Sequence, residues 1–307
     1  MKKILSVLAL GLCLMPALAQ SDDFGLWTSL GAQKDINKKW SVGLGTECRF
    51  ENNVSTVNRA GFDFGITYKP FKFLRFGIGY VYMRDRYPAE TNINYSSVEN
   101  EDDDGNVYYT EEQNGYNQNA SFRRDKNRVF FQATGRYKLG RFTLSLRERL
   151  QYTHLQPTHI TRNRYRTCEL TEDEALIYEL TDEPFWTVTT DGQTRYFSEE
   201  PTAFNGDYYA MTTTERLKAS KHRLYLRSRL QVSYNVKGIP LEPYASFEVS
   251  NNLRDGFALK KRRWTAGVEY TLNKRHTFGV AYIYNNGADD DNEGNLHAVS
   301  IGYTIHL

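Results

Sequence analysis

The sequence predicts an all-β chain, an antiparallel transmembrane β-barrel of roughly 10–12 strands with long extracellular loops. Three observations predict it. From Phe24 onward, stretches of roughly ten residues alternate apolar and polar side chains, the length a tilted strand needs to cross a bilayer. The connections between those stretches alternate in length, short then long. The chain also opens with a leader shaped like an export signal.

In the leader, Lys2 and Lys3 supply the positive region and residues 4–15 the apolar one. Ala17-Leu18-Ala19 has the small-x-small form of a cleavage site. Residues 1–19 are therefore expected to be a cleaved signal peptide and 20–307 the mature barrel. Cys13 follows Leu12, where a lipoprotein signal needs a small residue, so no lipid anchor is expected. Cleavage leaves Cys48 in a strand and Cys168 in a long loop, which form no disulfide framework. The mean hydropathy of -0.63 is that of an ordinary soluble protein and hides the order of the residues. A net charge of +2 argues against a nucleic-acid partner. After the leader no apolar run is long enough for a spanning helix.

The strands read in order. Trp40, Val42, Leu44, Thr46, Cys48 and Phe50 oppose Ser41, Gly43, Gly45, Glu47 and Arg49. Ala60, Phe62, Phe64, Ile66 and Tyr68 oppose Arg59, Gly61, Asp63, Gly65 and Thr67, and Leu74, Phe76, Ile78, Tyr80 and Tyr82 oppose Arg75, Gly77 and Gly79. Val129, Phe131, Ala133 and Tyr137 alternate with Arg128, Gln132, Thr134 and Arg136. Leu144, Leu146, Leu150 and Tyr152 alternate with Ser145, Arg147, Arg149 and Gln151. Glu148 interrupts that apolar face and is expected at a rim or against a neighbour. Leu224, Leu226, Leu230 and Val232 oppose Arg223, Arg227, Arg229 and Gln231, and three further strands run through Trp264, Phe278 and Ile301.

A soluble sandwich or lipocalin-like barrel alternates too, with its apolar face inward. The Arg- and Gly-rich polar face favours a wet lumen instead. Trp40, Tyr68, Tyr137, Phe142, Tyr234, Tyr270 and Phe278 stand beside short turns, as an interfacial girdle does. Short turns at 69–72, 138–141, 235–240 and 273–276 belong on the periplasmic side. Long connections at 85–126, 154–221, 251–261 and 285–295 belong outside. Ten strands follow from Trp40 onward, an even number. Residues 24–33 also alternate, and could pair beside the last strand, run inside the lumen or stay peripheral. A hairpin with an Asp191-Gly192 turn between Trp186 and Phe197 could extend above the membrane or add a spanning pair.

The terminal octet Ser300-Ile301-Gly302-Tyr303-Thr304-Ile305-His306-Leu307 resembles the signal read by barrel-assembly machinery, with Leu307 in place of the usual aromatic residue. Trp27, Lys39-Trp40, Arg49, Arg59, Gly79-Tyr80, the pairs Arg147/Arg149 and Arg227/Arg229, Pro243-Tyr244, Asn251 and Arg263 together resemble a group of Gram-negative outer-membrane proteins. These are catalogued as domain of unknown function 2490. The resemblance spans nearly all of the mature chain, and departs in its long loops after Tyr82 and Tyr152. It implies a bacterial outer-membrane location and a barrel fold, and brings no catalytic residues. The partners expected are outer-membrane lipids and lipopolysaccharide.

The basic set facing the lumen is Arg49, Arg59, Arg75, Arg128, Arg136, Arg147, Arg149, Arg223, Arg227, Arg229 and Arg263, against Glu47, Asp63, Glu242, Glu248 and Glu269. It would attract an anion, since guanidinium forks match carboxylate and phosphate, or it would form an ion-pair ladder that fills a small barrel. The segment from Asn100 to Glu111 has calcium-loop spacing, with Asn100, Asp102, Asp104 and Glu111 as candidate ligands and Gly105 at the sixth position. Its alternative is a solvated acidic loop. His154, His159 and His222, with Asp85 nearby, could build a rim hydrolase, although no spacing marks one. Passage or binding of a small polar or anionic solute, or a surface contact, is the expected role. A rim-active hydrolase or lipid-modifying enzyme and a plugged structural or adhesive barrel are the rivals. No cofactor is expected other than this calcium.

Overall fold

The structure is a computed structural model that describes residues 23–102, 106–287 and 295–307, so the leader at 1–19 lies outside the described residues. The chain runs through β1 (Asp23–Asp35), β2 (Trp40–Glu51), β3 (Thr56–Phe71), β4 (Leu74–Tyr87), β5 (Glu90–Glu101) and β6 (Val107–Asn119). It continues through β7 (Phe122–Leu139), β8 (Phe142–Leu155), β9 (Thr158–Arg166), β10 (Glu169–Leu170), helix α1 (Glu172–Leu180) and β11 (Trp186–Thr190). Then come β12 (Gln193–Phe197), β13 (Pro201–Phe204), β14 (Asp207–Lys218), β15 (Lys221–Tyr234) and β16 (Leu241–Asn252). The last are β17 (Ala258–Leu272), β18 (His276–Gly287) and β19 (Leu296–His306).

Eleven of these strands close one barrel, in the order β1-β2-β3-β4-β7-β8-β15-β16-β17-β18-β19 and back to β1. The ten strands from Trp40 onward are those the alternation marks. The eleventh, β1, takes the place beside the last strand. Its pairing with β2 is antiparallel and its pairing with β19 is parallel, from Asp23 opposite Leu296 to Gln33 opposite His306. Parity requires this: an up-and-down sheet of odd strand number has first and last strands pointing the same way. The even count suggested by bacterial barrels gives way to that closure, and the sheet is antiparallel everywhere else in the barrel.

The wall is inside out relative to a water-soluble core. Leu30 and Leu44 are 62% and 61% exposed, and Ile78, Phe131, Leu146 and Ile301 also face outward. Arg59, Lys126, Gln151 and Asn285 are fully buried. Among the described residues no helix is long and apolar enough to cross a membrane, and the strands supply the apolar band instead. At the short-turn end Trp40 packs on Tyr68 with ring centroids 4.5 Å apart, Phe142 on Tyr234 at 4.9 Å and Phe278 on Tyr303 at 5.1 Å. Glu148 does face outward, and its carboxylate accepts a 2.6 Å hydrogen bond from Ser228 Oγ on the paired strand, so it rests against a neighbour.

The contacts divide the chain into two compact units. The barrel holds the described residues up to Arg86 with Arg124–Gln156 and Ser220–Leu307, and a second unit holds Tyr87–Arg123 and Pro157–Ala219. The two longest connections therefore carry a folded unit of their own. It contains a five-stranded sheet, β13-β14-β9-β6-β5, and a three-stranded sheet, β10-β12-β11. Asp191 and Gly192 both have positive φ, 52° and 81°, as the two-residue turn between β11 and β12 requires. That hairpin belongs to the small sheet and adds no strand to the barrel.

Helix α1 starts at Thr171, whose side chain accepts from the Glu174 amide in a capping box. Arg195 pairs with Glu169 and, at 2.7 Å, with Asp207, joining β12 to β14. Burial acts to raise the Asp207 carboxyl, but Arg195 and the Tyr208 amide outweigh it and hold the group below its ordinary value.

Two outcomes are expected. Leu146→Arg, on the outward face midway along β8, should lower unfolding free energy in lipid vesicles by about 2–4 kcal/mol, whereas the inward Ser145→Ala should cost far less. A depressed carboxyl stabilises above its unfolded pKa and loses that contribution as pH falls through the lowered value. Amide-exchange protection in β12 and β14 should therefore hold down through the ordinary carboxylate range and fall below it. Asp207→Asn should flatten that dependence.

Candidate functional site in the barrel interior

The two-residue period places a block of guanidinium groups on adjacent strands. Arg147 on β8 stands opposite Arg229 on β15, and Arg149 opposite Arg227. On the far side of β15, Arg229 faces Glu248 of β16, and Glu248 faces Arg263 of β17. Glu248 pairs with Arg147, with Arg227 at 3.0 Å and with Arg263 at 3.9 Å. Arg263 also donates to Asn285 at 2.8 Å.

One carboxylate thus serves three arginines, and two more stand beside it. Arg149 donates twice to Gln132 Oε1, at 2.6 and 3.0 Å, and lies 4.2 Å over the Phe130 ring. Among the described residues neither Arg149 nor Arg229 has a carboxylate within ion-pair distance. Like charges directly opposite across a sheet repel, and a buried surplus of charge is costly.

The block faces a cavity of about 400 Å³, also lined by Glu47, Asp63, Arg128 and Tyr244. Room for it comes from glycine. A Cβ on Gly79 of β4 would collide with the Phe130 ring and one on Gly45 of β2 with the Asp63 carboxylate, so the large side chains fill the space these glycines leave. Near β1, Arg49 pairs with Glu47 at 2.8 Å and stacks 3.9 Å over Trp27.

The two ends of the interior differ. Toward the long connections, Asp85 takes Arg59 Nε at 2.7 Å, Arg59 Nη2 at 2.6 Å and Lys126 Nζ at 2.5 Å, and all three residues are at most 1% exposed. Arg128 donates to Thr153 beside them. Toward the short turns the interior widens. A cavity of about 380 Å³ shares Arg147 and Arg229 with the central one and Arg136 and Gln231 with a vestibule of about 1110 Å³. Lys38, Lys39, Lys69, Lys72, Arg75, Arg136, Lys138 and Arg141 line that vestibule, with Glu242 the one acid among the described residues that line it.

The arginines read from the sequence are therefore brought together. Arg49, Arg59, Arg128, Arg147, Arg149, Arg227, Arg229 and Arg263 line the central cavity, and Arg75 and Arg136 the way to it. Arg223 projects from β15 opposite Thr153, nearer the long-connection end. Lys126 and Phe130 are not singled out as lining residues by the sequence, although both follow in step from Arg128, whereas Gln132 reads on the polar face and Trp27 within the family pattern. Asp85, expected at a rim beside the histidines, is instead inward on β4 and held by Arg59 and Lys126. Parity from Gly77 and Gly79 signals that position.

His154 and His222 are cross-strand partners, while His159 belongs to β9 in the second unit. In the calcium-spaced segment, Asn100 Nδ2 donates to Thr110 Oγ1, Asp102 accepts from the Asn106 amide, and Glu111 lies within β6 opposite Ser97. Asp104 lies outside the described residues. These contacts are those of a β-hairpin, so Glu111 is held in a strand and not wrapped back over the turn.

A closed barrel with an apolar outer wall and a charged interior defines the transmembrane β-barrel class. Within it, the chain belongs to the family described as protein of unknown function (DUF2490), which matches residues 24–295. No curated protein matches the chain. Among solved structures, the β domain of the Bordetella autotransporter BrkA is similar over 86% of this chain and 79% of that one, with 10% identity and a TM-score of 0.39.

Removing the shared carboxylate and removing an arginine should have opposite signs. Glu248→Ala leaves Arg147, Arg227 and Arg263 facing one another and should cost about 3–5 kcal/mol in urea unfolding from vesicles. Arg149→Met removes a charge that has no carboxylate and should be neutral or stabilising.

Proposed function

We propose that this chain is an exported outer-membrane barrel that binds a small multivalent oxyanion, a carboxylate or phosphate, in its interior. The observation that carries the reading is the pair of Arg–Arg oppositions, Arg147 with Arg229 and Arg149 with Arg227, around the single carboxylate of Glu248. Guanidinium forks suit planar and tetrahedral oxyanions, and a low-dielectric enclosure strengthens the attraction. The basic vestibule leads to the block from the short-turn end and would concentrate anions at its mouth. The buried Arg59–Asp85–Lys126 cluster stands at the other end, and its ion pairing favours a bound ligand over free passage.

An outer-membrane site is supported by the apolar band, the aromatic residues at the short-turn end and closure of the sheet on itself. In that placement the vestibule opens to the periplasm. The leader and the terminal octet fit export and assembly by the barrel machinery.

The test is calorimetric titration of the folded full chain in detergent with citrate, pyrophosphate, sulfate and chloride. Saturable binding of a multivalent anion is expected, weakened at least about tenfold in Arg149→Ala/Arg229→Ala and barely altered by Lys38→Ala. Wild-type protein in planar bilayers should pass little current. Absence of saturable binding to any of the four anions, with a large steady conductance, would replace the receptor by an open pore.

A further inference from the structure

We propose a metal site on the outward face of the barrel, where β8 and β15 approach the long-connection end, formed by His154, His222 and Tyr152. It is independent of the interior arginines. His154 and His222 are directly opposed across the sheet, and their Nδ1 atoms are 3.1 Å apart. Tyr152, two residues before His154 and on the same face, brings its phenol oxygen to 2.6 Å from His222 Nδ1. The rings are in contact, with centroids 4.6 Å apart for the two imidazoles and 5.8 Å for Tyr152 and His222.

Two donor atoms, the Tyr152 oxygen and His154 Nδ1, therefore approach His222 Nδ1. An imidazole nitrogen has a single in-plane position, filled by either a proton or a lone pair, so it cannot make two in-line hydrogen bonds. One of the two close contacts is left poorly satisfied unless a cation is shared. The nitrogen spacing suits a metal, since two nitrogens at 2.0–2.1 Å from a tetrahedral ion lie about 3.3 Å apart, and the phenol oxygen, now 2.6 Å from His222 Nδ1, would swing outward to join them. The N₂O donor set, two imidazoles and a phenol that becomes phenolate on binding with release of its proton, fits late first-row divalent ions, Cu²⁺, Ni²⁺ or Zn²⁺. His222 is exposed and His154 half-buried, so an ion can reach them. Arg254, whose guanidinium lies 3.5 Å from the His222 carbonyl oxygen, adds a nearby positive charge and sets a limit on affinity. His276 with Tyr303 and His297 with Tyr282 are further His–Tyr contacts on other strands.

The experiment uses the folded full chain in detergent, stripped with chelator and titrated separately with Cu²⁺, Ni²⁺ and Zn²⁺. One ion per chain should bind, at least about tenfold more weakly in His154→Ala and in His222→Ala, and as in the wild type in His297→Ala. With Cu²⁺ a phenolate charge-transfer band should appear and vanish in Tyr152→Phe. Retained heat-modifiable gel mobility shows that each variant is folded. If the wild type takes up no stoichiometric ion, or if His222→Ala titrates like the wild type, the site does not exist. Binding without the Tyr152-dependent band overturns the third ligand.

Discussion

A backbone amide in hydrocarbon has no partner except another strand, and an open sheet edge there is prohibitively costly. That constraint fixes the rest of this molecule. Every barrel strand here has two neighbours. Once the sheet is closed, its two-residue period leaves only an outward and an inward direction for side chains. Apolar residues mostly go out and charged ones mostly go in, with Glu148 an outward exception held by Ser228.

What goes in is mostly arginine, and the interior is organised by how its charge is shared. At one end Asp85 answers two cations at close range. In the middle Glu248 is spread across three guanidinium groups while Arg149 leans on an amide and an aromatic ring. Toward the short turns the cations outnumber the acids further and the space opens. Basic side chains thus accumulate from the Asp85 cluster toward the short turns. The outward histidine pair stands apart from this gradient, on the other face of the same two strands.

The sequence made the barrel legible because alternation over ten crossings is a strong signal, and because Arg and Gly on one face are hard to reconcile with a dry core. It also made the arginine lining legible, since facing follows from parity alone. Partner choice was not legible. Nothing in the spacing says that Asp85 joins Arg59 and Lys126, which are far apart in sequence, because that depends on which strands become neighbours after a long excursion. The place of β1 was open for the same reason: ten residues of alternation specify a face and leave direction and partner undetermined. The acidic segment is a different case. Calcium-loop spacing is a pattern of side chains, whereas Val107 to Glu111 obey strand pairing with β5, and the backbone decides where Glu111 can reach.

The parallel contact between β1 and β19 has a mechanical consequence. Slanted hydrogen bonds hold somewhat less per residue than the perpendicular ones around the remainder of the cylinder. The molecule therefore has a built-in line of least resistance along its length, beside Trp27 and the cations stacked on it. Thermal fraying would begin there, and it would expose the aromatic side of the interior before the ion-paired side.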